Sequence, residues 1–281
     1  MINTNTSIVA NGFNTSYIDS LLMAIFYKSS HLKSLLTQYP EKSKFIYLQE
    51  LISSNFLQNI KNGYSVDISI INEIRNYSII CGWKENENIT MLYPVTEYLT
   101  FLMNGIGFGQ IDFEFVEFDN MENEKVKTLS MNYIDVPILS NTNVKSLLDI
   151  WYNTNIKNYQ SIPHKILCNK FKEIPIMIPI YFNRKKGTVY QVDIKKRIKF
   201  KKNNDSTQLK SSWIIHSLIC CSNSTGNYYT ILNNDKDDWI IFSNEKMPSL
   251  IKIDLFDEMN ANIIKQECVL AIYRLDNLHE L

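Results

Sequence analysis

The sequence predicts an α+β fold, and three observations carry that reading. The first hundred or so residues place apolar side chains at helical spacing. Beyond about residue 110 the chain changes to short stretches that alternate apolar and polar residues, or run apolar and β-branched between turn residues. No internal repeat or long linker interrupts it. A helical first part followed by a largely antiparallel second part is the α+β pattern. The expected organisation is a single domain over 1–281, with a helical half at 1–108 and a mostly β half at 109–281. The two halves are expected to pack on each other with a cleft between them.

The elements follow in order. In YIDSLLMAIFYKSS, Ile18, Leu21, Leu22, Ile25 and Phe26 fall at i, i+3, i+4, i+7 and i+8, which is one stripe of a helix. Similar spacing runs through HLKSLLTQYPEKSKFIYLQELISSNFLQNI, broken at Pro40. PVTEYLTFLMNGIG predicts a third helix, with Pro94 in its first turn and Gly105 and Gly107 after the apolar run. IDFEFVEF alternates as a half-buried strand does. MNYIDVPI and IPIMIPIYF are short and β-rich, and KSLLDIWYNT between them reads as a helix. TVYQVDIKKRIKF predicts strands with a charged outer face, and KKNNDST a polar loop. SWIIHSLICC, NYYTILNN, DWIIFSN and ECVLAIYRLD are four further strands.

Composition narrows the function. With 281 residues and 45% hydrophobic content the chain can bury a sizeable core. Lys+Arg is 29 and Asp+Glu is 29, a net charge of zero. A general binder of nucleic acid needs a basic excess, so no nucleic-acid partner is expected. The basic run KKRIKFKKNND reads as a solvated strand edge and loop, with only Phe200 interleaved. No apolar run reaches the ~20 residues that span a bilayer, so no membrane partner is expected. The start, MINTNTSIVANG, has neither the basic end nor the apolar centre of a secretory leader. The five cysteines (Cys81, Cys168, Cys220, Cys221, Cys268) are odd in number and form no C-x-x-C pair. They predict reduced thiols in a cytoplasmic protein, with no metal and no cofactor.

One stretch has the form of a reactive site. In NGFNTSYIDSLLMAIFY, residues 11–27, a polar turn runs into a helix start, and Ser16 stands at the junction. A nucleophile there gains from the helix dipole and from free N–H groups. Asn11, on the turn, could donate to an oxyanion. On this stretch alone, turn and cap roles account for Asn11, Asn14, Thr15 and Ser16.

The order of motifs along the whole chain resembles the ubiquitin-specific protease (USP) family of cysteine deubiquitinases, peptidase family C19. The family's first box reads roughly N-x-x-x-T-C-Y-x-N-S-L-L-Q; here NGFNTSYIDSLLM occupies residues 11–23. Its second box, Q-Q-D-A-x-E-F-L, resembles LYPVTEYLTFL at 92–102. MNYIDVPILSNTNVKSLLDIW and IPIMIPIYFNRK resemble the family's following strand, helix and strand, with Arg184 retained. Its last box, G-H-Y and then W-x-x-F-(N/D)-D, resembles WIIHSLICCSNSTGNYY at 213–229 with DWIIFSNE at 238–245. The closing A-Y-x-L-x-Y resembles ECVLAIY. The resemblance implies a papain-like USP fold, with a helical thumb on an antiparallel palm. The short segment around 108–128, without cysteine pairs, implies reduced, zinc-free fingers.

The departures decide what the resemblance implies about activity. Ser16 stands at the family's cysteine, Asn227 at its histidine and Ser243 at its orienting Asp/Asn; Asn11 is kept at the oxyanion position. A serine hydroxyl needs a base, and a carboxamide takes up no proton near pH 7. An engineered Cys-to-Ser exchange would explain position 16 but not 227 and 243. Degeneration covers all three. None of His31, His164, His216 and His279 replaces the base: His216 reads as a strand histidine eleven residues before Asn227. The family's cleft positions fall on Pro94, where its tail-binding Asp would be, and on Glu97, Tyr228 and Trp239.

The expected function is therefore that of a pseudo-deubiquitinase serving as a protein-interaction or scaffold subunit of a multi-subunit complex. A ubiquitin-binding pseudoenzyme and an active deubiquitinase with substituted residues are the alternatives, with ubiquitin among the protein partners in either case. The Asn-, Ile- and Lys-rich composition and the compact, diverged chain fit a large DNA virus as source, which would add the virion to the expected cytoplasmic location.

Overall fold

The computed structural model describes residues 14–27, 36, 43–83, 92–106, 111–118, 124–152, 168–185, 188, 190–200, 211–233, 238–246, 249–254 and 258–276. Asn11, His31, Pro40, Gly107, His164, the loop at 201–210 and His279 lie outside them.

The helices are α1 (Ser16–Phe26), α2 (Ile46–Glu50), α3 (Gln58–Lys61), α4 (Ile68–Ile80), α5 (Val95–Ile106), α6 (Val144–Tyr152) and α7 (Glu258–Glu267). A π-helical segment, Leu51–Leu57, joins α2 to α3. The first strands are β1 (Ile111–Phe118), β2 (Glu124–Met131), β3 (Ile134–Ile138), β4 (Thr142–Asn143), β5 (Cys168–Phe171) and β6 (Met177–Arg184). Then come β7 (Val192–Asp193), β8 (Arg197–Ile198), β9 (Trp213–Cys221), β10 (Tyr228–Asn233), β11 (Trp239–Phe242), β12 (Leu250–Ile253) and β13 (Cys268–Leu275). The α+β class is as the sequence predicts.

The chain forms two compact units, and they are not the two expected sequence halves. Unit 1 comprises Met1–Gly109 with His216–Leu270; unit 2 comprises Gln110–Ile215 with Ala271–Leu281. The reason lies in α1. Its apolar stripe predicts one buried face, yet all eleven of its residues are buried. A helix covered all round needs partners on every side, and the strands of His216–Leu270 supply the missing ones. Thr230 Oγ1 on β10 donates to Ser20 O at 2.8 Å, and Ser217 Oγ on β9 donates to Ala24 O at 2.6 Å. In unit 1, β9, β10, β11 and β12 follow one another as antiparallel neighbours.

The helical side of unit 1 is held by aromatic rings. Tyr17 meets Tyr98 edge-on at 5.5 Å, Trp83 meets Tyr98 at 5.1 Å, and Phe45 lies 5.2 Å from Phe101. Helix α5 turns Val95, Tyr98, Leu99, Leu102 and Ile106 inward. Gly105 is not the expected helix stop; it lies inside α5. A Cβ there would sit 2.0 Å from Phe45 Cε1, so the glycine is needed for close approach of the ring.

Helix α4 has no counterpart in the sequence reading, although its segment ISIINEIRNYSII is rich in β-branched residues and still forms a helix. Asp67 caps it by accepting from Ser69 N at 2.8 Å, and Ile71, Ile74, Arg75 and Ser78 form its buried stripe. Helix α7, equally unanticipated, is polar and buries Ile264.

In unit 2, β2, β1 and β5 form a three-stranded antiparallel sheet, to which the described residues of the segment around 108–128 belong. The expectation of a largely antiparallel second part needs one correction: β3 pairs with β6 in parallel, and so does β4 with β7. The chain from β3 to β6 is long and includes α6, the kind of crossover that parallel pairing requires. The strands predicted within TVYQVDIKKRIKF shrink to the two-residue β7 and β8. Phe171, Phe200 and Trp213 pack edge-to-face at 5.1–5.6 Å, and Trp213 Nε1 donates to Pro175 O at 2.8 Å.

Candidate functional site

The start of α1, the loop before β10 and the loop after β11 meet within unit 1. Asn14 adopts a left-handed conformation (φ 55°), which turns the chain into the helix. Thr15 follows as the N-cap residue but makes no side-chain cap bond. Its hydroxyl donates instead to Asp19 Oδ2 at 3.1 Å. Ser16 is thereby placed at the first helical position, 3% exposed.

Asn227 is brought to Ser16 by a tight turn. Gly226 takes φ 75°, Ser222 N donates to Asn227 O at 2.9 Å, and Asn227 N donates to Thr225 Oγ1 at 3.2 Å. The contact joins residues 211 positions apart: Ser16 Oγ donates to Asn227 Oδ1 at 3.5 Å, the long end of hydrogen bonding. Tyr228 N donates to Ser16 Oγ at 3.1 Å. The amide orientation of Asn227 is fixed from its other side, where Nδ2 donates to Glu245 Oε1. The Ser16 oxygen thus accepts from a backbone N–H, and its proton faces a carboxamide oxygen. That oxygen has no titration near neutral pH, so no general base contacts the hydroxyl among the described residues.

The third expected position behaves differently. Ser243 is buried, but it serves its own loop: its N–H donates to Ser249 O at 2.9 Å, and its Oγ accepts from Glu245 N at 3.3 Å. Asn227 is held by Glu245, not by Ser243. Of the other sequence candidates, Pro94 and Glu97 are exposed at the start of α5. Glu97 N donates to Pro94 O at 3.0 Å as that helix begins. Tyr228 contributes its backbone N–H. Trp239 is 4% exposed and packs in β11. His216 is the buried strand histidine the sequence suggests, with Nε2 3.2 Å from Ile25 O.

Sequence reasoning missed a buried polar pair directly behind Ser16. Asn244 Nδ2 donates to Asp19 Oδ2 at 2.6 Å, with both residues buried. Burial pushes the Asp19 carboxyl up to about 7; the bonds from Asn244 and Thr15 and the charge of Arg75 only partly oppose this. Asp19 Oδ1 and Asn244 Oδ1 are both buried acceptors without a hydrogen-bond partner. A proton on the acid is the state that such a site favours. The signal was present in the motifs: Asp19 stands where the family's box has Asn, and Asn244 where it has Asp. Among the described residues, no cluster of three or more His, Cys, Asp or Glu is grouped for a metal. None of the described helices is long and apolar enough to cross a membrane.

Comparison with solved structures identifies this architecture. The chain is similar to a SAGA DUB module of Ubp8, Sgf11, Sus1 and Sgf73 bound to monoubiquitin, with a TM-score of 0.67 and 12% identity. The match covers 99% of this chain and 71% of the other. The same DUB module bound to ubiquitin aldehyde gives a TM-score of 0.64 at 13% identity, with the same coverage. The fold is that of a ubiquitin-specific protease. No family profile matches the chain, and no curated protein sequence matches it. The USP-like fold is therefore recognised by shape at an identity where sequence comparison is silent. Ser16, Asn227 and the loop after β11 are linked by hydrogen bonds in this structure.

Proposed function

We propose that this USP-like protein is a pseudo-deubiquitinase that acts as a protein-interaction or scaffold subunit of a larger assembly. The observation that supports this most directly is the contact between the Ser16 hydroxyl and the Asn227 carboxamide. Peptide or isopeptide attack by a serine requires transfer of its proton to a base during bond formation. Asn227 cannot take that proton, and the Glu245 carboxylate is bonded to the far side of the same amide. Loss of nucleophile or base in a working triad lowers the rate by on the order of 10⁶. The buried Asp19 and Asn244 side chains at the same end of α1 are bonded to each other.

Such a protein retains the surfaces of its fold without the turnover. Both similar structures are assemblies of several proteins; a subunit role for this chain fits that setting. The measurement is release of fluorophore from a ubiquitin C-terminal conjugate by the intact protein. The expected result is no turnover above buffer. Turnover that disappears in Ser16→Ala would sink the proposal. A titration of isotope-labelled ubiquitin followed by NMR separates scaffold from ubiquitin binder: the scaffold reading expects no saturable shift, and a saturable, localised one would replace it with the ubiquitin-binding reading.

A further inference from the structure

Unit 2 carries a groove that the USP-like site does not use. It encloses about 530 Å³ between the start of α6 and the segment running through β8. Four cations line it: Lys145, Lys195, Arg197 and Lys199. Asp149 is the acidic residue among the lining groups. Lys195 pairs with Asp193 at 2.5 Å and Arg197 with Asp276 at 2.8 Å. Lys145 and Lys199 are exposed and have no ion-pair partner among the described residues.

The floor differs from the rim. Leu148, Ile198 and Phe200 line it with apolar surface. Phe200 packs edge-on against Phe171 and Trp213, at 5.1 and 5.6 Å. We infer that this groove binds an acidic segment of a partner protein, in which Asp or Glu residues flank one or two bulky apolar side chains. The charge on the rim selects anions. The apolar floor gives nothing to an inorganic anion, and its preformed shape suits an apolar side chain. A nucleic-acid strand needs aromatic faces for its bases, and the one aromatic in the lining is engaged edge-to-face with two neighbours. The volume lies in the range of sites that enclose several side-chain groups. This inference does not depend on whether Ser16 is catalytic.

The test uses the full chain and a fluorescein-labelled peptide alternating Asp/Glu with Leu/Phe, followed by anisotropy. Saturable binding is expected, weakening severalfold as salt rises from about 50 to about 300 mM. Lys145→Glu combined with Lys199→Glu, both at exposed positions, should weaken it by about tenfold or more. A peptide with the same acids but Ser in place of Leu/Phe should bind several times more weakly. Unaltered far-UV circular dichroism and thermal midpoint of the double variant establish that it folds. No saturation of the first peptide, equal binding of the Ser-containing peptide, or tighter binding of a single-stranded oligonucleotide would each overturn the inference. So would wild-type affinity in the folded double variant.

Discussion

The two ends of α1 differ in what they retain. From Ser20 to Phe26 the helix is locked into its unit by side chains that reach over from neighbouring strands: Thr230 to Ser20 O, Ser217 to Ala24 O and His216 to Ile25 O. From Thr15 to Asp19 the same helix is held by polar side chains. There the contacts are a long hydroxyl–amide bond and a buried acid–amide pair. The first end follows from packing: a helix buried on all sides cannot change its neighbours singly. The second end is set by polar pairing: its buried hydroxyl, acid and amide groups need partners, and they find them in the loops beside β10 and β11.

Substitutions can break this contrast in order of size. Leu22→Ala empties a site with no exposure in the packed end. It should lower unfolding free energy by about 2–5 kcal/mol, read by urea denaturation. A loss under about 1 kcal/mol would mean that α1 is not the centre of its unit.

Asp19→Asn acts on the other end and is read through pH. The unfolded acid titrates at the ordinary carboxylate value of 3.8 and the folded one at about 7. Between those values the folded state holds more protons than the unfolded, so this group's stabilisation declines as pH rises through the window. It is fully present below the unfolded pKa and lost once pH passes the folded one. The wild type should lose up to about 4 kcal/mol relative to Asp19→Asn between pH about 4 and about 8. Parallel stability–pH profiles for the two proteins would show the acid to be charged throughout.

Ser217→Ala removes a donor to a helix carbonyl in the packed end and should cost about 1 kcal/mol. Ser16→Ala removes an acceptor for Tyr228 N and a long bond to Asn227. Its cost should be at most about 1 kcal/mol, with no change in peptidase readout. If Ser16→Ala proved more disruptive than Ser217→Ala, the reactive end would be as firmly packed as the rest.

Much of the fold was legible. The apolar stripes of α1 and α5 and the strands β9, β10, β11 and β13 lie where the sequence places them, because periodic burial writes itself into local spacing. Helix α4 was not anticipated: what makes it a helix is the Asp67 cap with a stripe through Ile71, Ile74 and Ser78. The site was legible as positions but not as contacts. Ser16 and Asn227 were named from their place in the motif order. That Glu245 holds Asn227 while Ser243 turns to its own loop depends on backbone paths no residue pattern reveals.

By itself the sequence determined the α+β class, the helix start at Ser16 and the residue types at each position, since these depend on local spacing and side-chain chemistry. The tertiary structure alone decided that α1 is buried all round. It also decided that His216–Leu270 belongs with the helices, and that Asp19 and Asn244 face each other across 225 residues of chain. Those facts arise from long-range desolvation and pairing, where each group's partner is set by the whole fold and not by its neighbours in sequence.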